Sequence, residues 1–373
     1  MTDWARIARP SLAGLTPYHP GLTRDELKEQ LGLDQLEPLN WNEDLFGPSQ
    51  VVLDAAAAEL RNAAFYPERA YADFVTAAAA ALGVPAECVI PAHGAQALIA
   101  ALAATFLEAG RTAVVPEVTY GLYAHMSAAT GARVVKTPMA GLDFDLAAVA
   151  EAARAECATV VWISDPNNPT GALIDRAAWR ELLDGLPPDC VVVADEAYMD
   201  FAEPDVRADR LRDVAAGRPV VVLRSFSKSF GLAGLRLGVA IADPTVARLL
   251  DVVQEPFNVN RAALAAGRAA VGLDGFLARR RTEVAAARTA LRDALAARGL
   301  ESHPSHANFV LVRLGVDDGP VCEALLARGV LVRPGAGLGL PGYARVTVAP
   351  EPLMERVAAM IAEEVGRADE YAV

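Results

Sequence analysis

The sequence predicts an α/β protein: a large domain with a mostly parallel, seven-stranded sheet, followed by a smaller α+β C-terminal domain. Three observations predict it. Short Val-, Ile- and Ala-rich segments alternate with helical segments between about residues 46 and 258. Those segments are apolar throughout rather than alternating, as strands covered on both faces are. After about residue 259 the pattern changes to a long Ala- and Arg-rich helical stretch, three further strands and a closing helix. The division expected is an arm (1–45), a large domain (46–258) and a small domain (259–373).

Taken in order, Thr23 and Glu26 frame a capping box, so a helix is expected through 27–33. Gly47 and Pro48 then break regular structure. Seven strands are expected at 89–90, 112–115, 133–136, 159–163, 191–194, 220–223 and 237–241. One long helix is expected to run to about Arg298, followed by strands at 309–313, 330–333 and 344–348.

Composition narrows the function. With 53% hydrophobic and 22% charged residues the chain can bury a core. A formal net charge of -13 argues against nucleic acid or an anionic membrane as partner, but not against a small anion held by a few arginines. The N-terminal segment lacks a signal-peptide run, and the apolar stretch at 94–107 is too short for a bilayer. Cys88, Cys157, Cys190 and Cys322 form no CxxC, so reduced thiols, no metal and a cytoplasmic location are expected. Only Lys28, Lys136 and Lys228 could supply a reactive side-chain amine.

The polar motifs fall mainly after expected strands, where open α/β sheets hold ligands. Ser225, Ser227, Lys228 and Arg236 lie in SFSKSFGLAGLR. A lone loop lysine is usually solvated. Two serines, an arginine and glycines around it suit a phosphate pocket, and nearby cations lower an amine's pKa. Asp195 and Tyr198 stand in DEAY. Asp195 could be a helix cap, or a buried carboxylate facing a cationic ring nitrogen, with Tyr198 donating to a ring oxygen. Asn168 lies in SDPNNPTG, which is turn chemistry but also places an amide beside a ring oxygen. His93, Gly94, Ala95 and Gln96 open an apolar helix, whose N-terminus can hold phosphate. Tyr120 either packs in a core or stacks on a planar ring. Arg345 sits in the apolar strand YARVTV and, if buried, needs an anion.

In this order the motifs resemble the fold-type I pyridoxal-phosphate (PLP) enzymes of the class I/II aminotransferase group, and are most similar to histidinol-phosphate aminotransferases. LTPYHPG, WNEDLFGPS, Phe65-Tyr66-Pro67 and VLVRPG extend the likeness over nearly the whole chain. The resemblance implies that Lys228 carries PLP as a Schiff base and moves protons, and that Asp195 pairs with the ring nitrogen. It implies that Tyr198 and Asn168 contact the ring oxygen and that Tyr120 stacks. Ser225, Ser227, Arg236 and the amides at Gly94, Ala95 and Gln96 would hold the phosphate. Arg345 would bind a carboxylate, with Arg333, Tyr18 and Asn42 near the substrate. Tyr66 would reach the phosphate site of a second copy, since the family's sites are shared across a homodimer. Substrates would be an amine donor and a 2-oxo acid acceptor.

The chain departs from the family pattern at three places. Ala95 lacks an expected hydroxyl, Asp44-Leu45 replaces Asn-Pro, and Ala349-Pro350 replaces Gly-Thr. An aromatic-amino-acid aminotransferase and a threonine-phosphate decarboxylase-like enzyme share the scaffold. A non-catalytic ligand-binding protein of this fold would usually have lost the lysine.

Overall fold

A computed structural model describes residues 2, 4–17 and 24–371. Strands are β1 (Glu37–Leu39), β2 (Val89–Ala92), β3 (Thr112–Pro116), β4 (Arg133–Thr137), β5 (Met139–Ala140), β6 (Asp143–Phe144), β7 (Val160–Ser164), β8 (Val191–Asp195), β9 (Val220–Ser225), β10 (Gly238–Ile241), β11 (Phe309–Arg313), β12 (Val330–Pro334) and β13 (Tyr343–Thr347). The larger sheet has seven strands in the order β2-β10-β9-β8-β7-β3-β4. β10 alone runs against its neighbours.

Strand pleating sends successive residues to opposite faces. In β7, Val161 and Ile163 join one buried layer, while Val160 and Trp162 join the other. Both faces are therefore apolar, and the strands carry no polar alternation. The flanking helices start on side-chain caps: Asp145, Asp175, Asp243 and Asn260 each accept from a first-turn amide.

The smaller sheet is β1-β12-β13-β11. The helices Phe276–Ala296 and Glu351–Tyr371 cover it, with Leu291, Leu295, Phe309, Val346, Val357 and Ile361 fully buried in its core.

Three expectations change. The arm expected over 1–45 contributes β1, which pairs with β12 from Glu37 to Leu39. The single long helix is two, Arg261–Val271 and Phe276–Ala296, parted where Gly275 takes φ +69°. The first of these lies beyond residue 258 yet packs on the helices Gln50–Glu59 and Ala72–Leu82. Gly267 permits that contact, since a Cβ there would fall 2.3 Å from Leu237 and 2.7 Å from Phe74. The change of core comes inside the next helix, where Phe276 belongs to the large core and Val284 to the small one.

Candidate active site

β3 leads to β4 in one direction and β7 leads to β8 and β9 in the other, so the sheet reverses order between β3 and β7. Ligands of open α/β sheets bind beyond the strand ends at such a point. A cavity of about 650 Å³ lies there. Tyr120 lines it from the turn after β3, Asn168 from that after β7, Asp195 and Tyr198 from the end of β8, and Ser225, Ser227 and Lys228 from the end of β9.

One wall gathers a helix start, a guanidinium and two hydroxyls. The helix Ala95–Phe106 begins at the cavity, and its first-turn N–H groups have no acceptor within the helix. Its N-cap, Gly94, takes φ +94° and ψ +161°; a Cβ there would lie 2.8 Å from Arg236 Nη2. Arg236, itself at φ +57°, lines the cavity with Ser225 and Ser227. Gln96 ties this wall to the aromatic one: its Nε2 donates to the Tyr120 hydroxyl at 2.7 Å. Ala95 brings no hydroxyl to this wall; Arg236 donates through Nη1 to the Ala233 carbonyl at 2.9 Å and through Nη2 to Gln96 Oε1 at 3.4 Å.

The centre holds a titratable pair. Lys228 Nζ donates to the Trp41 carbonyl at 2.9 Å. Burial pushes this amine down to about 7, and Arg345 and Arg236 add to the shift. Asp195 is pushed up to about 6 by burial, while the Tyr123 hydroxyl, donating at 2.8 Å, pulls it back. Tyr198 accepts from Asn42 Nδ2 at 3.0 Å and from Asn168 Nδ2 at 3.4 Å.

The opposite wall comes from the smaller sheet. Arg333 on β12 and Arg345 on β13 are cross-strand partners, and both line the cavity. Arg345 is 5% exposed; it donates to Asn168 Oδ1 and to the Asn40 carbonyl, each at 2.5 Å.

Thus Lys228, Asp195, Tyr198, Asn168, Tyr120, Ser225, Ser227, Arg236, Ala95, Gln96, Arg333, Arg345 and Asn42 meet at one cavity, with Gly94 just behind it. Tyr66 does not reach it; the residue is 79% exposed and stacks on Phe257 at 5.0 Å. Tyr18 lies outside the described residues. Sequence reasoning missed Tyr123, although its spacing from Tyr120 puts both near one helix start. It also missed the Trp41 carbonyl, which no side-chain signal marks.

Residues 34–361 match the family model for aminotransferase class I and II. The chain belongs to that family, and is a pyridoxal-phosphate-dependent aminotransferase. It is 38% identical to histidinol-phosphate aminotransferase 2 of Pseudomonas aeruginosa over 354 residues, covering 93% of this chain and 95% of that one. It is likewise 38% identical to the histidinol-phosphate aminotransferase of Symbiobacterium thermophilum, over 91% of this chain and 93% of that one. The crystal structure of histidinol-phosphate aminotransferase from Sinorhizobium meliloti in complex with pyridoxal-5'-phosphate superposes with a TM-score of 0.88 at 27% identity. It covers 96% of this chain and 97% of that one. Among the described residues no helix is long and apolar enough to cross a membrane.

Proposed function

We propose that this chain binds pyridoxal phosphate in the cavity and exchanges the amino group of histidinol phosphate with 2-oxoglutarate, a step of histidine biosynthesis. The observation that carries this reading is the register of Arg333 beside Arg345, in a cavity shared with Lys228. One substrate presents a phosphate and the other carboxylates. Two guanidinium groups side by side suit both anions, because each can form paired N–H···O bonds.

The residues fit the cofactor. The helix start at Ala95, the two serines and Arg236 form a donor set for a phosphate. Gly94 leaves the space that Arg236 needs to sit against that helix start. Asp195, buried and 6% exposed, would hold a protonated ring nitrogen; Asn168 and Tyr198 would face the ring oxygen, and Tyr120 the ring. When bound, the cofactor supplies an electron sink for the bond broken at the amine-bearing carbon.

The chain's own groups do the rest. Lys228, with its amine near neutrality, is present in part as the free base at neutral pH, and can take and return the proton at that carbon. Asp195 would keep the ring nitrogen of the bound cofactor protonated. Tyr123 holds the Asp195 carboxylate in orientation. Arg333 and Arg345 fix the substrate so that the carbon faces Lys228.

The proposed assembly is a cytoplasmic homodimer with shared sites. The exposure of Tyr66 supports its reaching the cavity of a second copy.

The test is cofactor absorbance on adding amine donors singly. Conversion to the amine form with histidinol phosphate, and only weakly with phenylalanine or tyrosine, is the expected result. Fast conversion with aromatic amino acids alone would overturn the substrate, and release of CO₂ would overturn the reaction class.

A further inference from the structure

A buried ionic layer lies next to the cavity, and the proposed chemistry does not use it. Arg210, 1% exposed, opens the helix Arg210–Ala215 with its guanidinium 4.2 Å over the Trp179 ring. Nη1 donates to Glu196 Oε1 at 2.9 Å and Nη2 to Asp165 Oδ2 at 2.5 Å. Arg224 extends the layer, with Nη2 2.7 Å from Glu196 Oε2 and Nη1 donating to Asp200 Oδ1 at 3.2 Å. The Ser229 hydroxyl donates to Asp200 Oδ2 at 2.6 Å.

None of these six residues lines the cavity, yet four are chain neighbours of residues that do. Asp165 follows Ser164, Glu196 follows Asp195, Arg224 precedes Ser225, and Ser229 follows Lys228. Backbone bonds lock the same turns together: Asp165 N–H donates to the Asp195 carbonyl, and Glu196 N–H to that of Leu223, each at 2.9 Å.

We infer that Arg210 is a positioning residue: through Asp165 and Glu196 it fixes the turns that carry Asn168 and Asp195, and it balances the charge felt at Asp195. The inference rests on the proposed role of Asp195 at the ring nitrogen. Two buried carboxylates facing each other repel, and a planar fork bonding one with each nitrogen joins them. Lysine carries the charge without the fork. Burial pushes the Asp165 carboxyl up, and Arg210 pulls it back. At Asp195 the charge of Glu196 adds to the upward push of burial. Removing the Glu196 charge therefore weakens proton binding near Asp195; removing Arg210, the partner of Glu196, leaves that charge unopposed and strengthens it. A purely structural role gives no reason for opposite signs.

The experiment is a pH titration of cofactor absorbance in the holoenzyme, with kcat and KM measured alongside, for the parent and for Glu196→Gln, Arg210→Met and Arg210→Lys. Expected is a midpoint moved to lower pH in Glu196→Gln and to higher pH in Arg210→Met, each by on the order of half a pH unit or more. Arg210→Lys keeps the parent midpoint and loses roughly tenfold in kcat. Shifts of one sign, or no shift in Glu196→Gln, would overturn the inference. If Arg210→Met does not fold, a lowered midpoint in Glu196→Gln together with the parent midpoint and lowered kcat in Arg210→Lys supports the inference, and any other pattern overturns it. A parent protein without cofactor absorbance would instead overturn the functional reading itself.

Discussion

Tyr123 donates its hydroxyl to Asp195 Oδ2 at 2.8 Å while its ring stacks on Trp162 at 5.4 Å, interplanar angle 7°. The stacked indole holds the phenol in place, so the bond to the carboxylate is made in advance of any ligand. Tyr123→Phe keeps the stack and deletes the donor. The carboxylate then loses a group that favours its charged form, and its proton affinity rises. The acid limb of the kcat/KM profile should move to higher pH, and the maximum should fall roughly tenfold. A pH–rate series checks both.

Lys228→Ala removes the amine that the proposed chemistry uses twice. Turnover should fall by roughly 10²–10⁴-fold or more, and the Schiff-base absorbance should disappear. Turnover at the parent rate would sink the assignment.

Burial brings the Lys228 amine down to about 7 in the folded chain, from an ordinary value of 10.5. Between those values the unfolded chain binds the extra proton, so stability of the cofactor-free protein rises with pH across that window. Asp195 acts oppositely lower down: raised to about 6 from 3.8, its contribution is fully present below 3.8 and lost as pH rises through 6. Urea unfolding of cofactor-free protein at several pH values should show the rise above 7, and Lys228→Met should flatten it.

Gly94→Ala places a methyl 2.8 Å from Arg236 Nη2, at a φ and ψ that only glycine occupies readily. The cofactor's dissociation constant should rise by roughly tenfold to a hundredfold, with smaller loss of overall stability. Equilibrium dialysis against pyridoxal phosphate measures it.

Arg333→Met and Arg345→Met should differ in kind. Arg345 also holds Asn168 and the Asn40 carbonyl, so its loss should lower kcat and raise KM together. Arg333→Met should act chiefly on KM, by roughly 10- to 100-fold. Steady-state kinetics with each substrate varied in turn separate the two.

Most of the larger sheet was legible because its strands are buried on both faces and read as unbroken apolar runs. The cavity residues were legible because they follow those runs in short polar strings. What lay hidden was set by distance along the chain. Tyr123 meets Asp195 across 72 positions, and Arg210 meets Asp165 across 45, with no local pattern to announce either. β1 was hidden for another reason: Glu37-Pro38-Leu39 is too short to show a period, and only pairing with β12 makes it a strand. The helix break at residues 272–275 was masked by Ala- and Arg-rich sequence on both sides.

β1 and the residues after it form a short tether with anchors at both ends. Leu39 pairs with Val332 in the smaller sheet, and Asn42 is bonded to Thr347 and, through its carbonyl, to Asn308. Between them the Trp41 carbonyl takes the Lys228 amine, which belongs to a loop of the larger sheet. Only Asn40 separates Leu39 from Trp41, and a strand spans roughly 3.3 Å per residue, so the tether has little slack. Displacing the smaller sheet by more than about an ångström either drags this carbonyl along or stretches the amine bond beyond hydrogen-bonding range. The lysine thus has a mechanical gauge of where the small sheet stands, read through a single backbone oxygen.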